Sequence, residues 1–419
     1  MVRPSACLRQ PPEKEQQAMA ATLSDRLIRV GCTDLQPGMY VAELDRSWLQ
    51  TPYPPGGFLL RDADQRSELQ RHCAYVYVDP QRGTVNPVAD GAPAPARPVN
   101  PDRPARDRIT TIRSQLHALA DGVEATFRAA REGDELPVAG LAWLAQPLQE
   151  SLARDPDTVL WLLATAMKGG HLPRRALGTG LLMGLFSQRL RHGKEHAANL
   201  MLAGLLLDIG KLAVPMTILA KPGSLNDAER AFVRRHVRRG LYLARTAPNL
   251  PAAVEEAIIG HHERLDGSGY PRGCTGTQIP PAGRMAGIID AYDALTLDRR
   301  YARGIPANAA LRLLDAQSRT QFDAALLQFF AHVIGAWPTG SWVQLADGRI
   351  GIVRAQTPDE PRRPRIALVS DSAGRPLPLP ARLWSPDRRS DLLRGLAPAD
   401  FRLSKAVVAP ALKAATLAA

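Results

Sequence analysis

At 419 residues and 45% apolar content, the chain is too long for one small domain, suits two or three, and can build cores without covalent staples. Its formal net charge of +12 suits an anionic ligand such as a nucleotide, or an acidic surface. The basic residues (Arg234, Arg235, Arg238, Arg239; Arg362, Arg363, Arg365) are not interleaved with aromatics, only 5% of the chain, so a nucleic-acid-binding module is not expected.

Cys7, Cys32, Cys73 and Cys274 show no CxxC spacing, which indicates neither a disulfide framework nor a structural zinc site. The N-terminal stretch lacks the apolar core of a signal peptide, and the longest apolar run, Leu200 to Leu207, falls far short of a membrane span. The expectation is a cytoplasmic protein with reduced thiols and no membrane span.

In chain order, residues 1–24 are polar and read as a disordered lead-in. Residues 25–82 read as a small α+β domain: β-like runs at Leu27 to Val30, Tyr40 to Ala42, Phe58 to Leu60 and Ala74 to Val78, with a helix near 64–72, are punctuated by turn signals. Residues 83–105 form a linker, with six prolines between Pro87 and Pro104. From 106 to 335 the period changes. Ile109, Ile112, Leu116, Leu119, Val123 and Phe127 recur at three and four residues, the stripe of an amphipathic helix. Similar patterns near 140–153, 156–168, 174–191, 195–208, 226–245, 251–262, 281–296 and 307–332 predict an all-α domain. Residues 336–383 return to period two, with Asp347-Gly348 as a hairpin signal in SWVQLADGRIGIVRA. They read as a small β module, and 384–419 as a loosely ordered tail. The fold class is therefore mostly α, with a small N-terminal α+β domain and a small C-terminal β module.

The most specific segment is HHERLDGSGYP, His261 to Pro271. Adjacent histidines at the end of an apolar helix, followed by a Gly-rich loop, suit a metal centre beside an anion-binding loop. Neighbouring helical residues point about 100° apart, so both imidazoles reach one cation only where the helix ends. The pair by itself reads equally as solvated histidines before a tight turn.

The whole segment, with Arg272-Gly273 after it, resembles the signature of the HD-GYP family, HD-domain metallohydrolases that hydrolyse cyclic di-GMP. The resemblance extends through LAGLLLDIGKLAVPMTILAKPGSLNDAE, through Arg235-His236-Val237, and through IIDAYDALT followed by Asp298-Arg299. Residues 27–82 are similar to a small domain that often precedes HD-GYP domains, and WPTGSWVQLADGRIGIV to the β segment that follows them.

The resemblance implies an HD-domain helical core and metal ligands at Asp208, His236, His261, His262 and Asp290. It implies Asp208 and Lys211 as catalytic residues, and Lys211, Gly267, Gly269, Tyr270, Pro271 and Arg299 as contacts to substrate. The family's His-Asp pair here reads Leu207-Asp208, and the histidine 32 residues earlier falls on Arg175. His171, one helical turn before, replaces it only if the helix shifts register. Leucine cannot ligate and a guanidinium is a fixed cation. In the implied two-metal mechanism the cations share a water, lower its pKa and hold the phosphodiester for in-line attack. What survives suits one divalent ion (Fe, Mn, Zn or Ni) in place of two.

Two readings follow. One is a cyclic di-GMP phosphodiesterase, yielding the linear dinucleotide or GMP, with reduced or lost activity. The other is a silent descendant that binds cyclic di-GMP or docks signalling proteins. Hydrolysis of another cyclic nucleotide or of a phosphomonoester by a one-metal site is a third.

Overall fold

The computed structural model describes residues 28–44, 57–79, 82, 102–165, 171–297, 304–318, 320–357, 363–377, 383–384 and 392–396. The chain divides into two compact units, Met1–Pro98 and Val99–Ala419.

In the first unit, β1 (Ile28–Gly31), β2 (Tyr40–Leu44), β3 (Phe58–Leu59) and β4 (Tyr75–Val78) form an antiparallel sheet in the order β1-β4-β2-β3. Alternation in β4 sends Val76 and Val78 inward, where they pack with Val41, Leu35, Leu60 and with Leu69 of helix α1 (Ala63–His72). Asp62 caps α1 by accepting from the Gln65 N–H at 2.8 Å. The α+β reading of this segment is the observed one, and the lead-in 1–24 lies outside the described residues.

The second unit opens with α2 (Asp102–Glu132) and α3 (Val138–Arg154), which pair along the stripe read from the sequence: Ile109, Ile112, Leu116, Leu119, Val123 and Phe127 are all buried. Helix α2 starts inside the stretch read as linker. Pro104 is its third residue, and first-turn N–H groups have no intrahelical partner, so proline is tolerated there. The next helices are α4 (Pro156–Thr165), α5 (His171–Arg189), α6 (Lys194–Leu206), a 3₁₀ turn at Ile209–Ala213 and α7 (Met216–Leu219). Two expected helices are each split. Residues 226–245 become α8 (Asp227–Arg234) and α9 (His236–Ala244), and 307–332 become α12 (Ala307–Gln317) and α13 (Ala324–Ile334). Between them lie α10 (Ala252–Gly260) and α11 (Pro281–Thr296).

One apolar core runs through these helices, with Trp161, Phe186 and Phe330 fully buried in it. The β module, β5 (Trp342–Leu345), β6 (Ile350–Ala355), β7 (Arg365–Ser370), β8 (Leu383–Trp384) and β9 (Leu392–Leu396), is an antiparallel sheet in the order β8-β7-β6-β5-β9. Ile352, Ala367 and Val369 extend the helical core into it. Strand β9 lies within the stretch read as a loosely ordered tail, of which residues 384 and 392–396 are described. It pairs with β5 from Trp342↔Leu396 to Leu345↔Leu392, buries Leu396, and hides in an Arg/Pro-rich context because one apolar strand of five residues gives little periodic signal. Among the described residues no helix is long and apolar enough to cross a membrane.

Candidate metal centre

Close helix contacts bring the site together. Gly180 of α5 and Gly204 of α6 meet so tightly that a Cβ on Gly204 would lie 2.7 Å from the Gly180 Cα, which draws Arg175, near the start of α5, toward the chain leaving α6. That chain turns at Leu207-Asp208 into the 3₁₀ segment. Its Gly210 passes over the first turn of α9, where a Cβ would stand 2.0 Å from the His236 carbonyl oxygen. Asp208 is thereby set beside His236. Helix α10 stops at Gly260, so His261 and His262 fall where the backbone leaves the helix, as two imidazoles reaching one point require.

Asp208, His236, His261 and His262 each offer a ligand atom within 4.8 Å of the others'. The His236 Nδ1 lies 2.7 Å from the Val233 carbonyl oxygen, and the His261 Nδ1 2.7 Å from that of Ile258. A carbonyl only accepts, so each Nδ1 carries the proton and each Nε2 presents a lone pair. These two Nε2 atoms face one another at 3.4 Å, with the Asp208 Oδ1 3.5 Å from one and 3.8 Å from the other. Acceptors are thus gathered with no donor between them. Asp208 Oδ1 and His262 Nε2 are buried without a hydrogen-bond partner among the described residues, a cost that a cation at their centre would remove.

The electrostatics agree. Burial lowers the His236 pKa to about 4, against the upward pull of Asp208. Burial also lowers His261 and, with the neighbouring His261 and Lys211 charges, holds His262 well below the usual range. All three imidazoles stay neutral, the state that ligates. Burial acts to raise the Asp208 carboxyl, but Lys211 and then Arg175 outweigh it and hold it well below its ordinary value.

A different arrangement fills the adjoining space. Arg175 binds the Asp290 Oδ1, and its Nε lies 3.4 Å from Asp208 Oδ2 and 3.2 Å from Asp293 Oδ2. Arginine and all three carboxylates are buried. Burial opposes the guanidinium charge, but Asp290, Asp208 and Asp293 together hold it more firmly protonated than usual. Burial raises Asp293 to about 7 despite Arg175. Leu207 is buried within the helical core.

The loop after the histidines is held from beneath by Glu263. Its buried carboxylate accepts from the N–H groups of Arg272 at 2.7 Å and Cys274 at 2.9 Å. The Tyr270 ring stacks on His262, centroids 4.6 Å apart and planes at 25°, and burial raises its phenol pKa.

The sequence-predicted ligands Asp208, His236, His261 and His262 therefore meet in one cluster. Asp290 stands beside it, 3.8 Å from the His262 Nδ1, but engaged by Arg175. Lys211, expected on a phosphate, has its Nζ 2.6 Å from Asp208 Oδ2. Gly267 takes the expected positive φ of 80°, and a Cβ on Gly269 would lie 2.4 Å from the Arg264 backbone N. Arg299 and the His171 side chain lie outside the described residues. Sequence reasoning missed Asp293, though it stands three residues after Asp290 and so on the same helical face. It also missed Glu263, whose clamp closes only in three dimensions.

Comparison with known proteins decides the family. Residues 164–326 match the HD domain model, and residues 27–140 match a domain of unknown function, DUF3391. Over 389 residues the chain is 33% identical to the cyclic di-GMP phosphodiesterase PA4108 of Pseudomonas aeruginosa, spanning 89% of this chain and 93% of that one. The chain belongs to the HD-GYP family. This HD-GYP protein is also 41% identical, over 120 residues, to the 3'3'-cGAMP-specific phosphodiesterase 1 of Vibrio cholerae, a match covering 29% of this chain and 28% of the relative. A solved HDG"Y"P protein, Bd1817 of Bdellovibrio bacteriovorus, overlaps 73% of this chain and 98% of its own at 13% identity and a TM-score of 0.44.

Proposed function

We propose that this HD-GYP protein hydrolyses cyclic di-GMP on a centre that holds one divalent cation, with Arg175 standing where a second would be. The observation that carries the reading is the set of acceptors turned on one another: two imidazole lone pairs at 3.4 Å with an unpartnered carboxylate oxygen beside them. Asp208, His236, His261 and His262 would hold the ion, and three imidazoles with a carboxylate suit Fe, Mn, Zn or Ni. A bound divalent cation supplies Lewis acidity, polarising a phosphoryl oxygen and making water an effective nucleophile near neutral pH.

The residues present do not fit a second cation. Asp290, which the family resemblance assigns to it, is bound by Arg175, and the position before Asp208 is a hydrocarbon. A second ion would have to displace a guanidinium held by three buried carboxylates. Arg175 preserves positive charge in that place but cannot activate water as a metal does, so turnover is slow. Lys211 and Arg175 keep Asp208 ionised, Glu263 steadies the loop, and Tyr270 backs the His262 ring.

The test is incubation of Mn- or Fe-loaded protein with cyclic di-GMP, with 3'3'-cGAMP in parallel, products being read by chromatography. The linear dinucleotide or GMP is expected from the first. Binding without product under any metal would support the second reading, a silent binder, which the Arg175–Asp290 ion pair favours. The double variant Leu207→His/Arg175→His separates them: a slowed enzyme gains a second ion and tenfold or more in rate (about 1.4 kcal/mol of barrier).

A further inference from the structure

An open surface cavity of ≈ 460 Å³ is lined by Asp227, by the exposed Arg230, Arg234, Arg235 and Arg238, and by Tyr270 and Pro271. The arginines come from the end of α8 and the start of α9. Residues 230, 234 and 238 are spaced by four, and the turn at Arg235 keeps the stripe continuous across the helix break. Arg230 is ion-paired with Asp227. Among the described residues Arg234, Arg235 and Arg238 have no acidic partner. Arg234 lies 4.9 Å from the centroid of the Tyr270 ring, and Arg238 donates to the Pro271 carbonyl oxygen at 3.5 Å. The Tyr270 ring that lines this cavity is the one stacked on His262. A single aromatic ring thus joins the basic cavity to the ligand cluster.

Among the described residues, which do not include Arg299, the cations nearer the ligand cluster have close acidic or carbonyl partners. Lys211 is bound to Asp208, Arg175 to three carboxylates, and Arg264 to the carbonyl oxygens of His261 and Glu263 at 3.1 and 2.8 Å. A cyclic dinucleotide carries two phosphodiesters, of which only one can lie at the cation. The other needs a partner, and guanidinium groups meet phosphate with paired N–H donors.

The geometry points to the arginine cavity as a second phosphate subsite, which takes the non-reacting phosphodiester of the dinucleotide while the other lies at the metal. This rests on the cyclic di-GMP reading above and extends it to residues outside the HD and GYP motifs. Tyr270 serves both halves of the ligand, packing against His262 on the metal side and standing in the wall on the arginine side.

The experiment measures, by titration calorimetry on Mn-loaded full-length protein, the binding of the bis-phosphorothioate analogue of cyclic di-GMP, which keeps both charges and resists cleavage. Arg234→Gln and Arg238→Gln line the cavity. Arg239→Gln removes the same charge one residue away, from a side chain that lies over Tyr242 instead. Each cavity variant should weaken binding about tenfold, the effect of one lost charged hydrogen bond, and Arg239→Gln less than twofold, with metal content equal in all. Equal losses for Arg238→Gln and Arg239→Gln would reduce the effect to a diffuse field, and no loss in the cavity variants would make this a solvated face. Either result overturns the subsite. Wild-type protein that does not bind the analogue overturns the ligand reading and the subsite together. Protein that binds but never cleaves cyclic di-GMP overturns hydrolysis alone.

Discussion

Replacing Arg175 by methionine removes the counter-charge of three buried carboxylates at once. Asp208 retains Lys211 at 2.6 Å, but Asp290 and Asp293 lose the partner they share. Breaking a buried ion pair from one side typically costs about 3–5 kcal/mol, because the remaining charge is left uncompensated. At roughly 2–4 °C per kcal/mol for a domain of this size class, the metal-free variant should melt about 6–20 °C below wild type. The same change opens Asp208 and Asp290 to a cation. Mn²⁺ at about 100 times its dissociation constant would return about 2.7 kcal/mol. The assay is thermal denaturation at pH 8, where Asp293 stays largely ionised in wild type, first in EDTA and then with Mn²⁺. A variant that melts within 2 °C of wild type in EDTA, or gains no more from Mn²⁺ than wild type does, would refute the reasoning.

Gly210→Ala pushes a Cβ to 2.0 Å from the His236 carbonyl oxygen and 2.5 Å from the Gly240 N. It should cost about 3 kcal/mol or more and weaken metal binding with it, as chemical denaturation and metal titration would show. Glu263→Gln sets an amide where a carboxylate accepts from two backbone N–H groups; a loss of about 1–3 kcal/mol is expected, with faster hydrogen exchange at residues 272 and 274. His332 supplies a pH test away from the centre. Burial, and secondarily Arg189, lowers its pKa from 6.5 to about 4, so the unfolded chain binds the proton more readily than the folded one. Its contribution is present above pH 6.5 and declines as pH falls to 4, by about 1–3 kcal/mol. In EDTA, His332→Phe should therefore flatten the stability profile between those values, and an unchanged slope would contradict the assignment.

Much of this was legible in the residues because it depended on local repetition. The α2 stripe from Ile109 to Phe127 is periodic over five turns, and all six positions are buried. The gapless count from Leu207 to Arg175 brought the guanidinium to Asp208 and Asp290 because α5 and α6 are unbroken helices in close contact. What escaped depends on tertiary partners. The break at Arg235 lies within an uninterrupted helical pattern and carries neither glycine nor proline. Asp293 acquires meaning only from Arg175, and Glu263 only from amides nine and eleven residues ahead. Lys211, read as a phosphate contact, sits three residues from Asp208, and in the tight 3₁₀ turn that separation brings the two side chains onto each other.

On the proposed reading, the Arg175 guanidinium stands in the place of one of two cations. Metal analysis of the purified full-length protein, by plasma emission spectrometry against protein concentration, tests it most directly. One divalent ion per chain is predicted in wild type and two in Leu207→His/Arg175→His, whereas two tightly held ions in wild type would contradict the account.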